Sequence, residues 1–381
     1  MHSIQGLILT PEGPVAGQLL WEDEHITAIL GDSAQQVDDA ELPWILPGFV
    51  DLHVHGAGGR DLMEGGDAAS AVAAMHVRHG TTAMLATTMT APLSEIEVAL
   101  QAIGKTMQDQ AAVKPLEARK PLEARLIGVH LEGPYLSAQK LGAQPAHTKT
   151  ASLAEINALN QLAPLRIITL APEDEEHLRL IIALRDAGYC VQIGHSNASY
   201  EQACQAFQYG ARSVTHLFNA MSGFHHRSPG LAGAALAHAD FAEIIPDLHH
   251  VHPGAIRAAY RAIPGLYAVT DATAAAGMSD GEYQLGEHRV YRCAGAVRLA
   301  DGTLAGSALT MDQAFRNLIS IGLHWTQASD MLSARPSSLL GLTDRGSLRP
   351  GYRADLAIFE RRHLRLTQVL VGGRRLRLDM N

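Results

Sequence analysis

The sequence predicts an α/β protein: a (β/α)8 TIM barrel with a small β-sandwich domain formed from both chain ends. Between residues 47 and 346, strand-like runs alternate with amphipathic helical stretches, which is the order of elements in such a barrel. Both chain ends instead hold short β-like runs separated by turn residues. We therefore expect a small β domain of residues 1–46 and 347–381 and a barrel domain of residues 47–346.

The two chain ends are predicted to pair with each other. Runs 6–9, 17–21 and 25–30 at the N-terminal end are apolar or alternating, and Pro and Gly at 11–14 mark a turn between the first two. The C-terminal end has similar runs, at 354–359, 364–366 and 368–371. Because a few short strands are marginal alone, one shared β domain is the simplest arrangement.

Eight runs are predicted as barrel strands, and amphipathic stretches between them as helices. The strands are 49–55, 81–88, 126–132, 165–171, 189–195, 213–217, 241–247 and 266–271. The clearest helices are 68–79, 94–108, 152–162, 175–187 and 199–209. We expect an inserted β-hairpin at 283–304 and helices at about 309–321 and 327–341. The tandem hexapeptide Lys-Pro-Leu-Glu-Ala-Arg at 114–125 is predicted to be a surface loop.

Composition limits the classes of partner. Lys and Arg total 30 and Asp and Glu total 39, a net charge of −9, which argues against a nucleic-acid partner. An anionic ligand would need a local cationic pocket. No apolar run reaches the ~18 residues of a membrane span, so no membrane partner is expected. The three cysteines have no CxxC spacing and the N-terminus no signal-peptide pattern; we expect free thiols and a cytoplasmic location.

Polar residues lie at the carboxyl ends of several predicted strands, which meet at one mouth in a barrel. A period of two places Asp51, His53 and His55 on one strand face. The other candidates at strand ends are Glu132, His195, His216 and Asp271. We predict a divalent-metal site formed by His53, His55, Glu132, His195 and His216. The alternative is a set of unrelated core residues, with His53 and His55 as a structural pair.

Imidazole and carboxylate ligands without thiolate suit several divalent ions. Zinc is our first expectation, with iron, manganese or cobalt as alternatives. Five ligands exceed the usual three of a catalytic zinc site, so one or two ions per chain are expected. With two, Glu132 would bridge an ion on His53 and His55 to an ion on His195 and His216.

Asp271 is the carboxylate left over, and we predict that it transfers a proton from water to a departing amine. The alternatives are a further metal ligand or a helix N-cap. The segment 218–227, which includes Asn219 and Arg227, is the densest group of cationic and hydrogen-bonding residues together with the histidines at 249, 250 and 252. Because Arg binds phosphate in a bidentate manner, this segment predicts a phosphate site; the alternative is a solvated loop.

These motifs resemble the amidohydrolase superfamily and, within it, the N-acetylglucosamine-6-phosphate deacetylase family. The more specific ones are Glu-Gly-Pro at 132–134 and His-Leu-Phe-Asn-Ala-Met at 216–221; His-Val-His at 53–55, Gly-His-Ser at 194–196 and Thr-Asp-Ala at 270–272 also fit. The resemblance extends from about residue 5 to residue 373. It implies a metal-dependent hydrolase that removes acetate from N-acetyl-D-glucosamine 6-phosphate and gives D-glucosamine 6-phosphate in amino-sugar catabolism.

The resemblance also implies roles for single residues. Glu132, His195 and His216 would bind the main metal, His53 and His55 a second one, and Asp271 would be the acid/base. The implied substrate-binding residues are Ala143, Gln144, Asn219, Ala220, Arg227, His250, Leu304, Ala305 and Gly306. Arg227 and His250 would lie near the phosphate and the amide, Arg227 reaching the neighbouring site of a homodimer. Gln144 departs from the His of many members, which leaves the sugar epimer open.

Three alternatives remain. The first is deacetylation of another N-acetyl sugar, such as N-acetylgalactosamine 6-phosphate or an unphosphorylated sugar. The second is a cyclic amidohydrolase or deaminase, which would need a bridging lysine or a different acid/base motif. The third is a metal-free scaffold or binding protein on the same barrel. Such a scaffold would have lost ligands, whereas all five ligand positions and Asp271 are present here.

Overall fold

The computed structural model describes residues 1–33, 42–112 and 122–378. It confirms the predicted fold class: a parallel β/α barrel together with a sheet built from both chain ends. Most of the duplicated hexapeptide lies outside the described residues. No helix within the described ranges is long and apolar enough to cross a membrane.

The strands and helices are numbered in chain order. The strands are β1 (His2–Thr10), β2 (Gly13–Glu22), β3 (His25–Ser33), β4 (Trp44–Pro47), β5 (Phe49–Asp51), β6 (Gly56–Ala57), β7 (Arg60–Asp61), β8 (Thr81–Thr88), β9 (Arg125–Glu132), β10 (Leu165–Leu170), β11 (Cys190–Ile193), β12 (Ser213–Val214), β13 (Phe241–Ile244), β14 (Gly265–Ala268), β15 (Gly281–Leu285), β16 (His288–Cys293), β17 (Ala296–Arg298), β18 (Leu304–Ser307), β19 (Leu356–Glu360), β20 (Arg365–Val371) and β21 (Arg374–Arg377). The helices are α1 (Ala68–Val77), α2 (Leu93–Ala112), α3 (Leu153–Asn160), α4 (Glu175–Asp186), α5 (Tyr200–Tyr209), α6 (Gly230–His238), α7 (Pro253–Ala262), α8 (Met311–Ser320), α9 (Trp325–Leu332) and α10 (Ala334–Leu339), with a 3-10 turn at Leu62–Glu64.

The two chain ends form one continuous seven-stranded sheet in the order β21-β20-β19-β4-β1-β2-β3. Strand β4 lies at its centre, parallel to β1 and antiparallel to β19. Ile8, Trp21, Ile45 and Ile358 are buried together on one side of this sheet. The N-terminal and C-terminal strands therefore share one core.

The barrel contains all eight predicted strands. Strands β5 and β8 to β12 form one parallel sheet, and β13 pairs in parallel with β14. Backbone hydrogen bonds join these sheets at both edges: the Leu217 amide donates to the Glu243 carbonyl at 2.9 Å, and the Asp271 amide donates to the His53 carbonyl at 2.9 Å. Strands buried on both faces appear as continuous apolar runs in the sequence, which is why they could be predicted.

Several barrel strands are shorter than predicted, such as β5, which ends at Asp51 rather than at residue 55, and two further elements differ from the prediction. The insertion after the eighth barrel strand is a four-stranded antiparallel sheet, β15 to β18, rather than a single hairpin. The last predicted helix is divided into α9 and α10 at Ser333. Pro336 explains the division, because proline has no N–H to donate to the residue-332 carbonyl and would clash with it in a continuous helix.

Aromatic packing joins the end sheet to the barrel. Phe359 of β19 lies 4.8 Å from Phe315 of α8 and 6.0 Å from Phe49 of β5, measured between ring centroids. Trp44 stacks on Trp325 at 4.6 Å. Since Phe49 begins the strand that leads to His53, this packing helps to fix the start of the site.

Candidate active site

A cavity of about 230 Å³ opens at the carboxyl ends of the barrel strands. Most of the predicted site residues line it: His55, Glu132, Ala143, Gln144, His195, His216, Asn219, Ala220, His250, Asp271, Leu304 and Gly306. His53 lies just beneath and is fully buried. Ala305 is buried in a small apolar cluster behind the wall. Arg227 is exposed on its loop and does not line the cavity.

The first ligand group consists of His53, His55 and Asp271. The Nε2 atoms of the two histidines are 3.1 Å apart, and Oδ1 of Asp271 lies 3.4 Å from the one and 3.3 Å from the other. The second group consists of Glu132, His195 and His216. Its two Nε2 atoms are 3.0 Å apart, and both lie within 3.2 Å of Glu132 Oε1.

Glu132 connects the two groups. Its Oε1 faces His195 and His216, whereas its Oε2 lies 3.4 Å from His53 Nε2 and 3.2 Å from His55 Nε2. In each group the ligand atoms lie within 4.8 Å of one another. The Glu132 carboxylate therefore presents one oxygen to each group, which suits a pair of ions bridged by a carboxylate.

Hydrogen bonds at Nδ1, the nitrogen that points away from the ligand groups, orient two of the imidazole rings. His53 Nδ1 lies 3.0 Å from Glu243 Oε2, and His195 Nδ1 lies 2.8 Å from the Lys140 carbonyl. Since both partners can only accept when Glu243 is ionised, each ring places its proton on Nδ1. The Nε2 lone pair is then directed into the site, as metal-binding histidines require.

The electrostatics of the site fit a divalent cation. Burial alone would lower the pKa values of His53 and His55, yet the facing carboxylates Glu132 and Asp271 raise the pKa of His53 well above its usual value and that of His55 to about 9. Burial would raise the pKa of Asp271, but the two histidines lower it to about 2. Buried carboxylates that remain ionised need a compensating positive charge. Without a metal ion the protonated histidines supply it, and a bound ion would displace those protons and take over the charge.

Three strand-end residues have left-handed backbone conformations. The φ angles are +46° at His195, +29° at His216 and +49° at Asp271. Such values are uncommon outside glycine and occur where the surrounding structure enforces them, often at functional sites. The chain turns sharply at the end of each strand, and the turn leaves these side chains lining the mouth.

Sequence reasoning missed Glu243 and His130, both fully buried beside His53. Glu243 accepts hydrogen bonds from the His216 amide at 3.1 Å and the Tyr267 hydroxyl at 3.2 Å. His130 contacts the Thr169 hydroxyl at 2.7 Å, and burial lowers its pKa to about 3. A signal was available, since each is a polar residue inside an apolar strand, two residues before the end of β9 for His130 and one before the end of β13 for Glu243.

The far side of the cavity has hydrogen-bonding groups suited to an anion or an amide. His250 Nδ1 lies 2.7 Å from Asp247 Oδ2. This carboxylate raises the pKa of His250, although burial opposes the rise. Asn219 contacts the His216 and Leu217 carbonyls at 3.2 and 3.3 Å. Among the described residues, no Lys or Arg lines the cavity.

A β/α barrel with buried carboxylate and imidazole groups at its mouth defines the class of protein as a metal-dependent hydrolase. The profile described as the amidohydrolase family matches residues 44–376. The N-acetylglucosamine-6-phosphate deacetylase of Lysinibacillus sphaericus is 38% identical over 351 residues, 90% of this chain and 88% of that protein. The N-acetylgalactosamine-6-phosphate deacetylase of Escherichia coli O157:H7 is 36% identical over 381 residues, 96% of each.

Solved structures agree. A mutant N-acetyl-D-glucosamine-6-phosphate deacetylase from Mycobacterium smegmatis, in complex with N-acetyl-D-glucosamine-6-phosphate, is 31% identical, with a TM-score of 0.87 and 98% of each chain covered. The chain belongs to the amidohydrolase family and, within it, to the N-acetylglucosamine-6-phosphate deacetylase family. The predicted resemblance is confirmed.

Proposed function

We propose that the protein hydrolyses the amide of N-acetyl-D-glucosamine 6-phosphate and releases acetate and D-glucosamine 6-phosphate. The observation that carries the proposal is the pair of ligand groups joined through Glu132 beside a cavity of about 230 Å³. It is supported by a relative of that name, 38% identical over 90% of this chain. The free cysteines favour a reducing compartment, and we place the reaction in the cytoplasm.

The proposed metal ligands are His53, His55, Glu132, His195 and His216, for one or two divalent ions. Zinc is our first choice, and iron, manganese or cobalt are alternatives for the same donor set. A divalent ion held there would lower the pKa of water to about 7 and polarise the amide carbonyl.

Asp271 is the proposed proton carrier. Its low pKa, about 2, keeps it ionised and able to accept a proton. As the water oxygen forms a bond to the acetyl carbon, Asp271 takes the water proton. When the carbon–nitrogen bond breaks, Asp271 gives that proton to the sugar nitrogen, which leaves as a neutral amine.

The remaining cavity residues are proposed to hold the sugar phosphate. Asn219, Ala220 and His250 line the cavity, as do Ala143, Leu304 and Gly306. Arginine binds phosphate in a bidentate manner, and the described lining has no Lys or Arg beside His250. We propose that Arg227 reaches the phosphate across a homodimer, since its loop is exposed and Phe224 beside it is 61% exposed.

The experiment is acetate release from N-acetyl-D-glucosamine 6-phosphate before and after chelation, beside the unphosphorylated sugar and the galactosamine epimer. Turnover of the first substrate that stops on chelation and returns with metal is the expected result. No turnover of any of the three by protein shown to contain metal would contradict the proposal.

A second candidate is deacetylation of N-acetyl-D-galactosamine 6-phosphate. The relative of that name, which is 36% identical over 96% of this chain, favours keeping it. The same experiment decides between the epimers by their kcat/KM values.

A further inference from the structure

The amide of Gln144 has a fixed orientation. The side chain is 6% exposed, and its Oε1 accepts a hydrogen bond from the Thr90 backbone amide at 2.7 Å. A backbone N–H can only donate, so the atom that faces Thr90 must be the oxygen. The nitrogen therefore points the other way, and it donates to Glu132 Oε2 at 2.7 Å.

This hydrogen bond falls on only one of the two ligand groups. Glu132 Oε2 is the oxygen that faces His53 and His55, at 3.4 and 3.2 Å. The opposite oxygen faces His195 and His216, and the hydrogen bond of Gln144 is to Oε2. Gln144 therefore restrains the Glu132 carboxylate through Oε2, the oxygen that faces His53 and His55.

We infer that Gln144 is a positioning residue that fixes Glu132 as the bridge to the His53–His55–Asp271 group. Both polar ends of its amide are already bonded within the protein, which leaves the sugar hydroxyls to other cavity residues. Groups that orient a metal ligand typically contribute about 10–100-fold in metal affinity or activity. The inference rests on the proposed metal site and is independent of which sugar the protein uses.

The test is a zinc titration of the apo-protein against a chromophoric chelator, with wild type and Gln144→Met. Methionine has a similar length but lacks both the acceptor and the donor. We expect the dissociation constant of one of two ions to rise by about 10–100-fold, and that of the other to stay unchanged. Steady-state kinetics at limiting zinc should show lower kcat with unchanged KM.

Gln139→Met is the matched control. Gln139 lies on the same loop, but its contact is to Asn197, outside the cavity, so its zinc titration should match the wild type. If Gln144→Met does not fold, Gln144→Asn is the second variant. Asparagine keeps the amide but is too short to reach both Thr90 and Glu132, so it should weaken the binding of the same ion.

Two outcomes would overturn the inference, and they are distinguishable. Unchanged binding of two ions by the Gln144 variant, with a raised KM, would make Gln144 a sugar contact and leave the proposed function intact. A wild type that binds a single ion, with His53→Ala unchanged, would remove the first group from the metal site and the inference with it.

Discussion

Nδ1 of His53 lies 3.0 Å from Oε2 of Glu243, although the two residues are separated by 190 positions in the chain. The contact joins the segment that follows the first barrel strand, β5, to the seventh, β13. It determines which nitrogen of His53 has the proton, and so which nitrogen can bind a metal ion.

Replacing Glu243 with Gln should weaken the binding of the ion that His53 is proposed to hold. The amide can donate to Nδ1, which would move the imidazole proton to Nε2 and block metal binding. We expect the affinity for that ion to fall by about 10–100-fold, measured by the same zinc titration. Glu287→Gln, at an exposed carboxylate, is the control; equal affinities in the two variants would argue against the tautomer role.

Asp271→Asn should lower turnover with little effect on substrate affinity. Losing a positioned acid/base typically costs about 10²–10⁴-fold in rate, whereas the phosphate contacts remain. The measurement is kcat and KM for the sugar phosphate, with metal content determined on the same sample. Loss of metal in parallel with activity would instead identify Asp271 as primarily a metal ligand.

The affinity for a phosphorylated substrate should depend on pH through His250. The ion pair with Asp247 raises the pKa of His250 above its ordinary value. The charge is complete below that ordinary value and is lost as the pH rises through the raised one. KM should therefore increase at the alkaline side, and His250→Gln should remove this increase; an unchanged profile in the variant would exclude His250 as the titrating group.

Mixing two inactive variants tests the role of Arg227 across a dimer. Arg227→Ala lacks the phosphate cation, and Asp271→Asn lacks the proton carrier. In a mixed dimer, the intact Asp271 and the intact Arg227 would meet in one of the two sites, so activity should reappear after the variants are unfolded and refolded together. If activity stays absent although mixed dimers form, Arg227 acts on its own chain or not at all.

Phe359→Ala should destabilise the whole chain. The ring is fully buried between Phe49 and Phe315, and truncating such a side chain costs about 3–5 kcal/mol. Urea unfolding followed by both fluorescence and circular dichroism is the measurement. Coincident transitions at lower urea would show that the end sheet and the barrel unfold as one unit; two separated transitions would show independent units.

The sequence predicted which residues meet at the barrel mouth, because barrel topology brings the strand ends together whatever the details of packing. It predicted less well the roles of the buried residues Asp51 and Glu243. The period of two placed Asp51 beside His53 and His55, but the ladder of β5 ends at Asp51, which instead accepts hydrogen bonds from the Thr270 hydroxyl at 2.6 Å and amide at 3.2 Å. Burial raises the pKa of Asp51 to about 7, and its hydrogen bonds to Thr270 connect the first barrel strand to the end of the eighth.

Glu243 was missed for a different reason. The sequence shows Glu243 as a charged residue in an apolar strand. Its partner His53, however, comes from the opposite end of the barrel sheet. Only the closed barrel reveals that contact. The hydrogen bonds of the Gln144 amide with Thr90 and Glu132 likewise depend on distance and direction, which residue type alone does not determine.

The shared end sheet has a consequence for synthesis on the ribosome. One edge of β4 pairs with β1, which is already synthesised when β4 emerges, whereas its other edge pairs with β19, which is translated some three hundred residues later. Until then the nascent chain exposes an open strand edge, the kind of edge that recruits foreign strands. Ribosome-bound chains that end before Leu356 should therefore be prone to aggregation, and release of the final strands should end that risk.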